Sequence, residues 1–312
     1  MGRWRIERLL DAAVLVSLVT LFVLLSFFAD NFLTVDNLKN VLDQATGLGI
    51  IATAGTLVIV GGAFDLSVGS VFAISGVVAA ELANHGWSVW LSLIAGLLSG
   101  AAVGLANGIF VDSVKINPFI ATLATSIIVR GLALAITGGN LITVNAASFA
   151  DLGTNKIAGL KISSWIFLAW ALFMGFLLWR TVFGRYLKAA GGNEQAARLS
   201  GLRVGSVRTM AFVISGLAAA LAGILAASQI STGQADVGVG LELNAVAAIV
   251  VGGTSIRGGE GAIWRTMVGV FLLSLIGNGF NLLSINPVYQ QIVYGGIILL
   301  AAGLDARLRR RT

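Results

Sequence analysis

Ten long apolar runs, separated by short polar breaks, dominate this chain of 312 residues. The runs cover approximately residues 9–29, 44–62, 66–84, 88–111, 118–138, 164–182, 207–230, 242–252, 263–284 and 288–304. Most are about 20 residues long, the length that an α-helix needs to cross the hydrocarbon core of a bilayer. The pattern predicts an all-α fold, a polytopic transmembrane helix bundle of about ten membrane helices. The run at 242–252 is too short to cross alone, and we expect it to be tilted, broken or re-entrant.

The composition agrees with a lipid-facing fold. Apolar residues make up 57% of the chain and charged residues only 11%, whereas a soluble domain is about 25% charged. The net charge of +6 does not indicate nucleic-acid binding, because so apolar a chain has no soluble basic face. We therefore expect a single transmembrane domain over residues 1–312, in contact with membrane lipids and not with nucleic acid.

Basic residues between the runs predict the orientation, since Lys and Arg collect on the cytoplasmic side. Of the 20 Lys and Arg residues, only Lys39, Lys156 and Lys161 fall on the opposite side, and Arg130 falls within a run. Both termini are accordingly predicted to be cytoplasmic. The first run follows Arg3, Arg5 and Arg8 like a secretory signal, but its length predicts a retained first helix.

Four glycines at every fourth position mark the fourth run: Gly96, Gly100, Gly104 and Gly108. This spacing places them on one helix face, where another helix backbone can approach closely. We favour packing within the molecule over a subunit interface as the role of this face.

Residues suited to enzyme chemistry are scarce. The chain has no Cys and a single His, His85, so thiolate metal sites and His-dependent catalytic constellations are excluded. The Walker A pattern G-x-x-x-x-G-K-[ST] is also absent from the sequence. We expect no enzyme activity, no catalytic residue and no metal site, which leaves transport, a channel or a structural membrane role.

Polar residues within or beside the runs are the candidates for a solute pathway. They are Asp65, Asn107, Thr122, Arg130, Glu242, Asn244, Asn278 and Asn281. Amide and hydroxyl groups suit a hydroxyl-rich solute, but they also commonly join neighbouring helices. The charged members have structural alternatives, since Asp65 can cap the third helix, Arg130 can snorkel and Glu242 can serve a helix N-terminus.

The most distinctive polar segment lies in a long basic loop at about residues 183–206, on the predicted cytoplasmic side. Residues 184–203 read GRYLKAAGGNEQAARLSGLR. Asn193 is a predicted helix N-cap, and Gly201 can end the short helix that follows. Such a helix, held between two membrane runs, can insert into a groove on a soluble partner or lie at the membrane boundary.

This segment resembles the cytoplasmic loop of the ribose-type permeases of ATP-binding-cassette (ABC) importers. Further matches occur in the family's order along nearly the whole chain: GGAFDLSVGS at 61–70, PFIATL at 118–123 with Arg130–Gly131, VGGTS at 251–255 with Gly258–Gly259, and NGFNLL at 278–283. Two positions depart from the family pattern. The usual Gly-Ile-Asp-Leu-Ser reads Ala63-Phe64-Asp65-Leu66-Ser67, and Glu-Leu-Asp reads Glu242-Leu243-Asn244.

The resemblance implies a multi-pass permease of the bacterial cytoplasmic (inner) membrane that imports a pentose, hexose or related small polar solute. The implied partners are an ABC ATPase subunit, a periplasmic or lipid-anchored sugar-binding protein, and a second permease copy in a homodimer or paralogous heterodimer. No cofactor is implied for this chain, because ATP and Mg²⁺ bind the partner ATPase. The resemblance also implies that residues 191–201 form the coupling helix on that ATPase, and that the loop 252–261 adds a second contact. The coupling residues are Gly191, Gly192, Asn193, Glu194, Ala197, Arg198, Ser200 and Gly201.

Two other functions remain open on the residues alone. An ion-coupled secondary sugar transporter would need an intramembrane carboxylate, and Asp65 and Glu242 are the candidates. A membrane scaffold that transports nothing is the third.

Overall fold

The computed structural model describes the backbone of residues 2–308 and the side chains of residues 14–297, 299, 300 and 303. Over this part of the chain the fold is an all-α bundle. Its helices are α1 (Gly2–Phe28), α2 (Val35–Val60), α3 (Val68–Asn84), α4 (Val89–Asp112), α5 (Pro118–Thr137), α6 (Asp151–Thr154), α7 (Ile162–Arg180), α8 (Val182–Gly192), α9 (Glu194–Leu199), α10 (Val204–Ile230), α11 (Leu241–Val251), α12 (Ile263–Leu282) and α13 (Val288–Leu308).

Each of the ten predicted runs coincides with one of the longer helices. By length and composition, six helices of the described chain are able to cross a membrane, namely α2, α4, α5, α7, α10 and α12. The prediction of a polytopic helix bundle is therefore confirmed. The number of crossings and the side on which the termini lie stay predictions, and the terminal Arg309, Arg310 and Arg311 lie outside the described residues.

The little sheet that the described chain contains lies in two of its loops. Strands β1 (Ile142–Thr143) and β4 (Thr232–Gly233) pair antiparallel, with Ile142 opposite Gly233. Strands β2 (Lys156–Ile157) and β3 (Leu160–Lys161) form a hairpin. The long 139–163 loop thus folds onto the end of α10, where Gly153 donates its N–H to Ser228 Oγ at 2.9 Å.

Side-chain caps fix where several helices begin. The Asn117 Oδ1 atom accepts the N–H of Phe119 at 2.9 Å, and Pro118 occupies the first turn of α5, where a missing N–H costs nothing. Thr34 Oγ1 accepts the N–H of Asn37 at 3.3 Å. Helix α2 starts at Val35, nine residues before the predicted run at 44–62. The apolar pattern missed this start because the first two turns of the helix are polar.

The glycine face of α4 packs against α10 within the molecule, which confirms the preferred interpretation of the four-residue spacing. A Cβ added at Gly104 would collide with the carbonyl oxygen of Phe212, and one at Gly108 would lie 2.6 Å from Thr209 Cγ2. Helix α10 also packs against α2 and α3. It is therefore the central helix around which the polar sites are arranged.

Two neighbouring crossings of the bundle are only half helical. Residues 61–67 are non-helical and run beside α10, where Asp65 Oδ2 accepts a hydrogen bond from Ser215 Oγ at 2.7 Å. Helix α3 then starts near the middle of α10 and runs parallel to it, with Gly76 packed against Ala227. Helix α3 therefore starts two residues later than the predicted run at 66–84, and the non-helical part of this crossing is the preceding stretch, residues 61–67.

The short run at 242–252 is the opposite case. From the end of α10, residues 231–240 run back along α3 without helical structure, from Val77 beside Gly233 to Gly69 beside Gly238. Helix α11 then continues to the end of the bundle at which α10 begins. Of the three alternatives for this run, tilted, broken or re-entrant, the structure shows the broken one, with residues 231–240 non-helical and α11 following them.

Candidate functional site

The predicted coupling segment folds as two helices that meet at Asn193. Helix α8 is capped by Thr181, whose Oγ1 accepts the Gly184 N–H at 3.2 Å. Asn193 leaves helical geometry at φ −156°, and its Oδ1 accepts the Ala196 N–H at 2.9 Å. Asn193 is therefore the N-cap of α9, as predicted, and Gly201 follows the helix end with φ +82°.

The helix that follows Asn193 is shorter than the predicted coupling helix at residues 191–201. Gly191 and Gly192 are the last residues of α8, and α9 contains only Glu194–Leu199. The break occurs because the Asn193 side chain takes up the free N–H groups of a new helix. Ser200 is the C-cap residue of α9.

Glu194 ties α9 to the bundle. Its Oε2 accepts a hydrogen bond from Arg208 Nη2 at 2.9 Å, and its Oε1 accepts one from Arg198 Nη2 at 2.7 Å. The hydrogen bonds from Arg208 and Arg198 lower the pKa of Glu194 to about 2. This carboxylate is therefore charged at every physiological pH.

Arg208 connects four helices from a buried position near the start of α10. Besides Glu194, its Nη1 donates to Asp112 Oδ1 at the end of α4, at 3.1 Å, and its Nε donates to the Gly61 carbonyl oxygen, also at 3.1 Å. Arg208 is 8% exposed. Its planar guanidinium holds these partners in a fixed geometry, as only arginine can, so α9 is coupled to α2, α4 and α10.

Three backbone segments meet next to Arg208: the turn after α2, the end of α8 and the 252–261 loop. We call this cluster the glycine junction, and its members are Gly61, Gly62, Gly191, Gly258 and Gly259. The Gly259 N–H donates to the Val60 carbonyl oxygen at 2.8 Å, and a Cβ at Gly191 would collide with that same oxygen. Gly258 and Gly259 have φ of +87° and +78°, which favours glycine. The junction places the 252–261 loop beside the end of α8.

Most of α9 faces away from the protein. Ala197 is its buried residue, at 6% exposure, whereas the apolar Leu199 is 84% exposed. A short helix with one anchored residue and an exposed apolar side chain leaves a surface for another protein to cover.

A second polar cluster lies inside the bundle where residues 61–67 meet α4, α5 and α10. Asp65 Oδ1 accepts the N–H of Ser67 at 3.0 Å and its Oγ–H at 2.6 Å, while Asn107 Nδ2 donates to Ser67 Oγ at 2.8 Å. Thr122 Oγ1 accepts the Leu66 N–H at 3.1 Å. Three of the predicted pathway residues, Asp65, Asn107 and Thr122, thus come together.

The buried cluster corrects one interpretation and adds Ser215, a residue that the sequence had not indicated. Ser67, not Asp65, is the N-cap residue of α3. Ser215, whose hydroxyl donates to Asp65 as described above, stands among the apolar residues of α10 without any motif around it. Two sequence signals point to Ser67, its place beside Asp65 at the start of the third helix and the family-like Asp-Leu-Ser pattern.

Arg130 and Glu242 lie at the non-helical segment 231–240. Arg130 Nη1 donates to the carbonyl oxygens of Ala235 and Val237, each at 2.5 Å. Glu242 accepts the Gly240 N–H at 3.3 Å and lies against Gly69 at the start of α3. The predicted role of Glu242 at a helix N-terminus agrees with this contact. Asn244 is half-buried two residues further along α11.

The remaining two candidates lie apart from these clusters. Asn278 and Asn37 exchange two side-chain hydrogen bonds, at 2.8 and 3.1 Å, between α12 and α2. Asn281 is exposed. Asn278 thus joins two helices, which is the structural alternative for a polar residue at such a position.

Comparisons with known proteins give the family. Residues 37–302 match the family model described as "Branched-chain amino acid transport system / permease component". The ribose import permease protein RbsC of Escherichia coli (strain K12) is 38% identical over 301 residues, which cover 95% of this chain and 94% of that protein.

Two arabinose permeases show the same degree of similarity. The L-arabinose transport system permease protein AraH of Escherichia coli (strain K12) is 40% identical over 96% of this chain and 90% of its own length. The L-arabinose ABC transporter permease protein AraH of Azospirillum brasilense is 37% identical over 99% of this chain and 91% of its own. The family match and these near full-length similarities show that the chain belongs to the family of transport-system permease components.

Proposed function

We propose that this chain is the membrane-spanning permease subunit of an ABC importer that moves a sugar, or a related small polar solute, into the cytoplasm. The chain is a multi-pass protein of the bacterial cytoplasmic membrane, consistent with its six helices of spanning length. The structural observation that carries the proposal is the fixed connection between α9 and the bundle through Glu194, Arg208 and Asp112.

A sugar is the preferred solute because the relatives are named for ribose and arabinose. The description of the matching family model names branched-chain amino acids. Such an amino acid is therefore the second candidate for the transported solute. A hydroxyl-rich solute requires hydrogen-bonding partners that are neutral or fixed in place. Arg130, Asn107 and Thr122 meet that requirement, since each is held by hydrogen bonds in the bundle.

The energy for import comes, in this proposal, from separate ATPase subunits that bind ATP and Mg²⁺. The sequence has no Walker A pattern with which to hold ATP phosphates itself. An ion-coupled mechanism needs a carboxylate that is free to exchange its ion. Asp65 does not suit that role, because Ser67 and Ser215 satisfy both of its oxygens.

The ATPase covers the exposed face of α9, with Leu199 entering an apolar groove on the ATPase surface. A second permease copy and a solute-binding protein on the outer side complete the importer. Bulky apolar side chains dominate the energetics of such contacts because they are desolvated on docking.

Reconstitution tests the proposed solute. Proteoliposomes that contain the chain with its ATPase and binding protein should accumulate ribose or arabinose when ATP is supplied on the ATPase side. Leucine serves as the competing solute. Accumulation of leucine without either sugar would favour the second candidate, and accumulation of none of the three would contradict the proposal for these solutes.

Leu199 provides a test of the ATPase contact. Leu199→Asp should reduce ATP-driven uptake at least tenfold, a loss of about 1.4 kcal/mol or more in docking, and should release the ATPase during purification. Leu199→Met keeps an apolar side chain of similar volume and is the matched control. Unchanged copurification and uptake in Leu199→Asp would show that α9 does not dock through this residue.

A further inference from the structure

The non-helical segment 231–240 lies at membrane depth. Gly238 packs against Gly69 at the start of α3. Gly69 is one turn before Phe72, which packs against Gly223 of α10. Since α3 and α10 run parallel, this contact places Gly238 near the middle of the 27-residue helix α10, far from either end of the bundle.

One side of this segment is open in the single chain. Asp236 is exposed, Val239 is 76% exposed and Leu243, in the first turn of α11, is 56% exposed. We call these three residues and Arg130 the Arg130 face. Arg130 borders it from α5 and holds the segment through the carbonyl oxygens of Ala235 and Val237.

Direct contact of the Arg130 face with lipid is energetically unfavourable. A hydrocarbon environment leaves the polar groups of non-helical backbone without partners, so such backbone is found at membrane depth only where protein covers it or where it lines a water-filled cavity. The carboxylate of Asp236 adds a charge, which is also disfavoured in lipid. Water solvates that carboxylate, whereas a dry protein contact would have to bury it.

We propose that the Arg130 face lines a water-filled path for the solute, closed on its far side by a second copy of the chain. The proposal rests on the proposed function and deepens it by naming the surface that the solute passes. The segment offers a small hydroxylated solute the Asp236 carboxylate and backbone carbonyl groups as hydrogen-bond partners. Arg130 acts as a positioning residue that keeps the segment in its non-helical conformation.

Cysteine accessibility tests this proposal directly, since the chain contains no native Cys. Val239→Cys is compared with Leu172→Cys on α7, because Val239 and Leu172 are both 76% exposed in the single chain. Ser148→Cys, in the exposed outer loop, is the positive control. The probe is a membrane-impermeant sulfonated methanethiosulfonate, applied from the outer side to the assembled importer in vesicles.

Val239→Cys should be modified at least about tenfold faster than Leu172→Cys, because the reactive thiolate forms only where water reaches the sulfur. Asp236→Cys should behave in the same way and provides a second variant if Val239→Cys fails to assemble. Modification of both positions as slow as that of Leu172→Cys, while Ser148→Cys reacts, would overturn the proposal. So would a disulfide between two copies at position 239 that forms while the probe leaves both positions unmodified, since that result indicates a dry interface.

The readout separates this proposal from the proposed function. Modification requires neither ATP hydrolysis nor uptake, so rapid modification in vesicles that import no sugar supports the water-filled path and contradicts only the importer assignment. Sugar uptake with unmodified Asp236→Cys and Val239→Cys would place the path elsewhere in the importer.

Discussion

At the scale of single residues, Glu194 and Arg208 determine how α9 is connected to the bundle. Arg208 is buried, so its charge needs partners, and Asp112 and Glu194 supply them. Glu194 is shared between buried Arg208 and surface-exposed Arg198. A charge reversal at Glu194 would therefore disturb the bundle as well as the ATPase surface, which makes it a poor probe of docking alone.

The lowered pKa of Glu194 leads to a prediction about pH. A carboxyl group whose pKa falls on folding stabilises the protein at pH values above its unfolded pKa, and this stabilisation is lost as the pH falls towards the folded pKa. With a folded pKa of about 2, the α9 connection should be independent of pH from about 5 to 8. Acid should weaken it only below about pH 4.

Glu194→Gln tests the same connection at neutral pH. The amide removes the charge that faces Arg208, and we expect a loss of about 1 kcal/mol in stability, since the Glu194 side chain is 44% exposed and water screens the pair. Thermal unfolding in detergent measures the loss, with Glu81→Gln near the C-terminal end of α3 as the control. Equal unfolding temperatures for wild type and Glu194→Gln at pH 7 would refute the stabilising role of the pair.

At the scale of elements, the glycine junction allows the ends of α2 and α8 and the 252–261 loop to lie in backbone contact. The end of α8 touches Val60 at the end of α2 and Gly259 in the loop before α12. No side chain separates these backbones, so α8 and α2 are in direct backbone contact. This arrangement links the segment next to α9 to the non-helical residues 61–67, which begin where α2 ends.

Gly191→Ala and Gly192→Ala form a matched pair at this junction. A Cβ at Gly191 collides with the Val60 carbonyl oxygen, whereas the nearest atom to a Cβ at Gly192 is 3.9 Å away. We expect Gly191→Ala to cost about 1–3 kcal/mol through forced separation of the backbones and to lower ATP-driven uptake. Unfolding and uptake measurements that show Gly192→Ala to be as damaging as Gly191→Ala would contradict the role of this close contact.

The elements also show what a sequence can predict and where it cannot. The start of α9 was predictable because Asn193 is a residue type that caps helix N-termini through an N–H three residues later, here that of Ala196. The short apolar run at α11 showed that this helix cannot cross the membrane alone. The break before α3 was predicted at residues 63–65. The course of residues 61–67 beside α10 was not predictable, because Ser215, which donates to Asp65, is 150 residues away. Nor were the Arg208 contacts, because Asp112 is 96 residues away and nothing local indicates the pairing.

At the scale of the whole molecule, two half-helical crossings lie side by side in opposite senses. Helix α11 occupies the half of its crossing nearer to Arg208 and α3 the half farther from it, and their N-terminal ends meet where Glu242 contacts Gly69. Discontinuous helices of this kind occur at solute sites near the middle of transporters. In this chain they lie beside α10, whose N-terminal end carries Arg208, so one helix connects the interrupted region to α9.

This architecture predicts how uptake responds to the two possible energy sources. Both candidates for a coupling carboxylate are engaged within the chain, since Ser67 and Ser215 donate to Asp65 and the Gly240 N–H donates to Glu242. Uptake in cells should therefore continue when a protonophore collapses the membrane potential and the proton gradient, provided that ATP is kept high. It should stop when ATP is depleted with the gradient intact. The opposite pattern, uptake that follows the gradient and ignores ATP, would identify an ion-coupled transporter and would leave the exposed surface of α9 without an ATPase to bind.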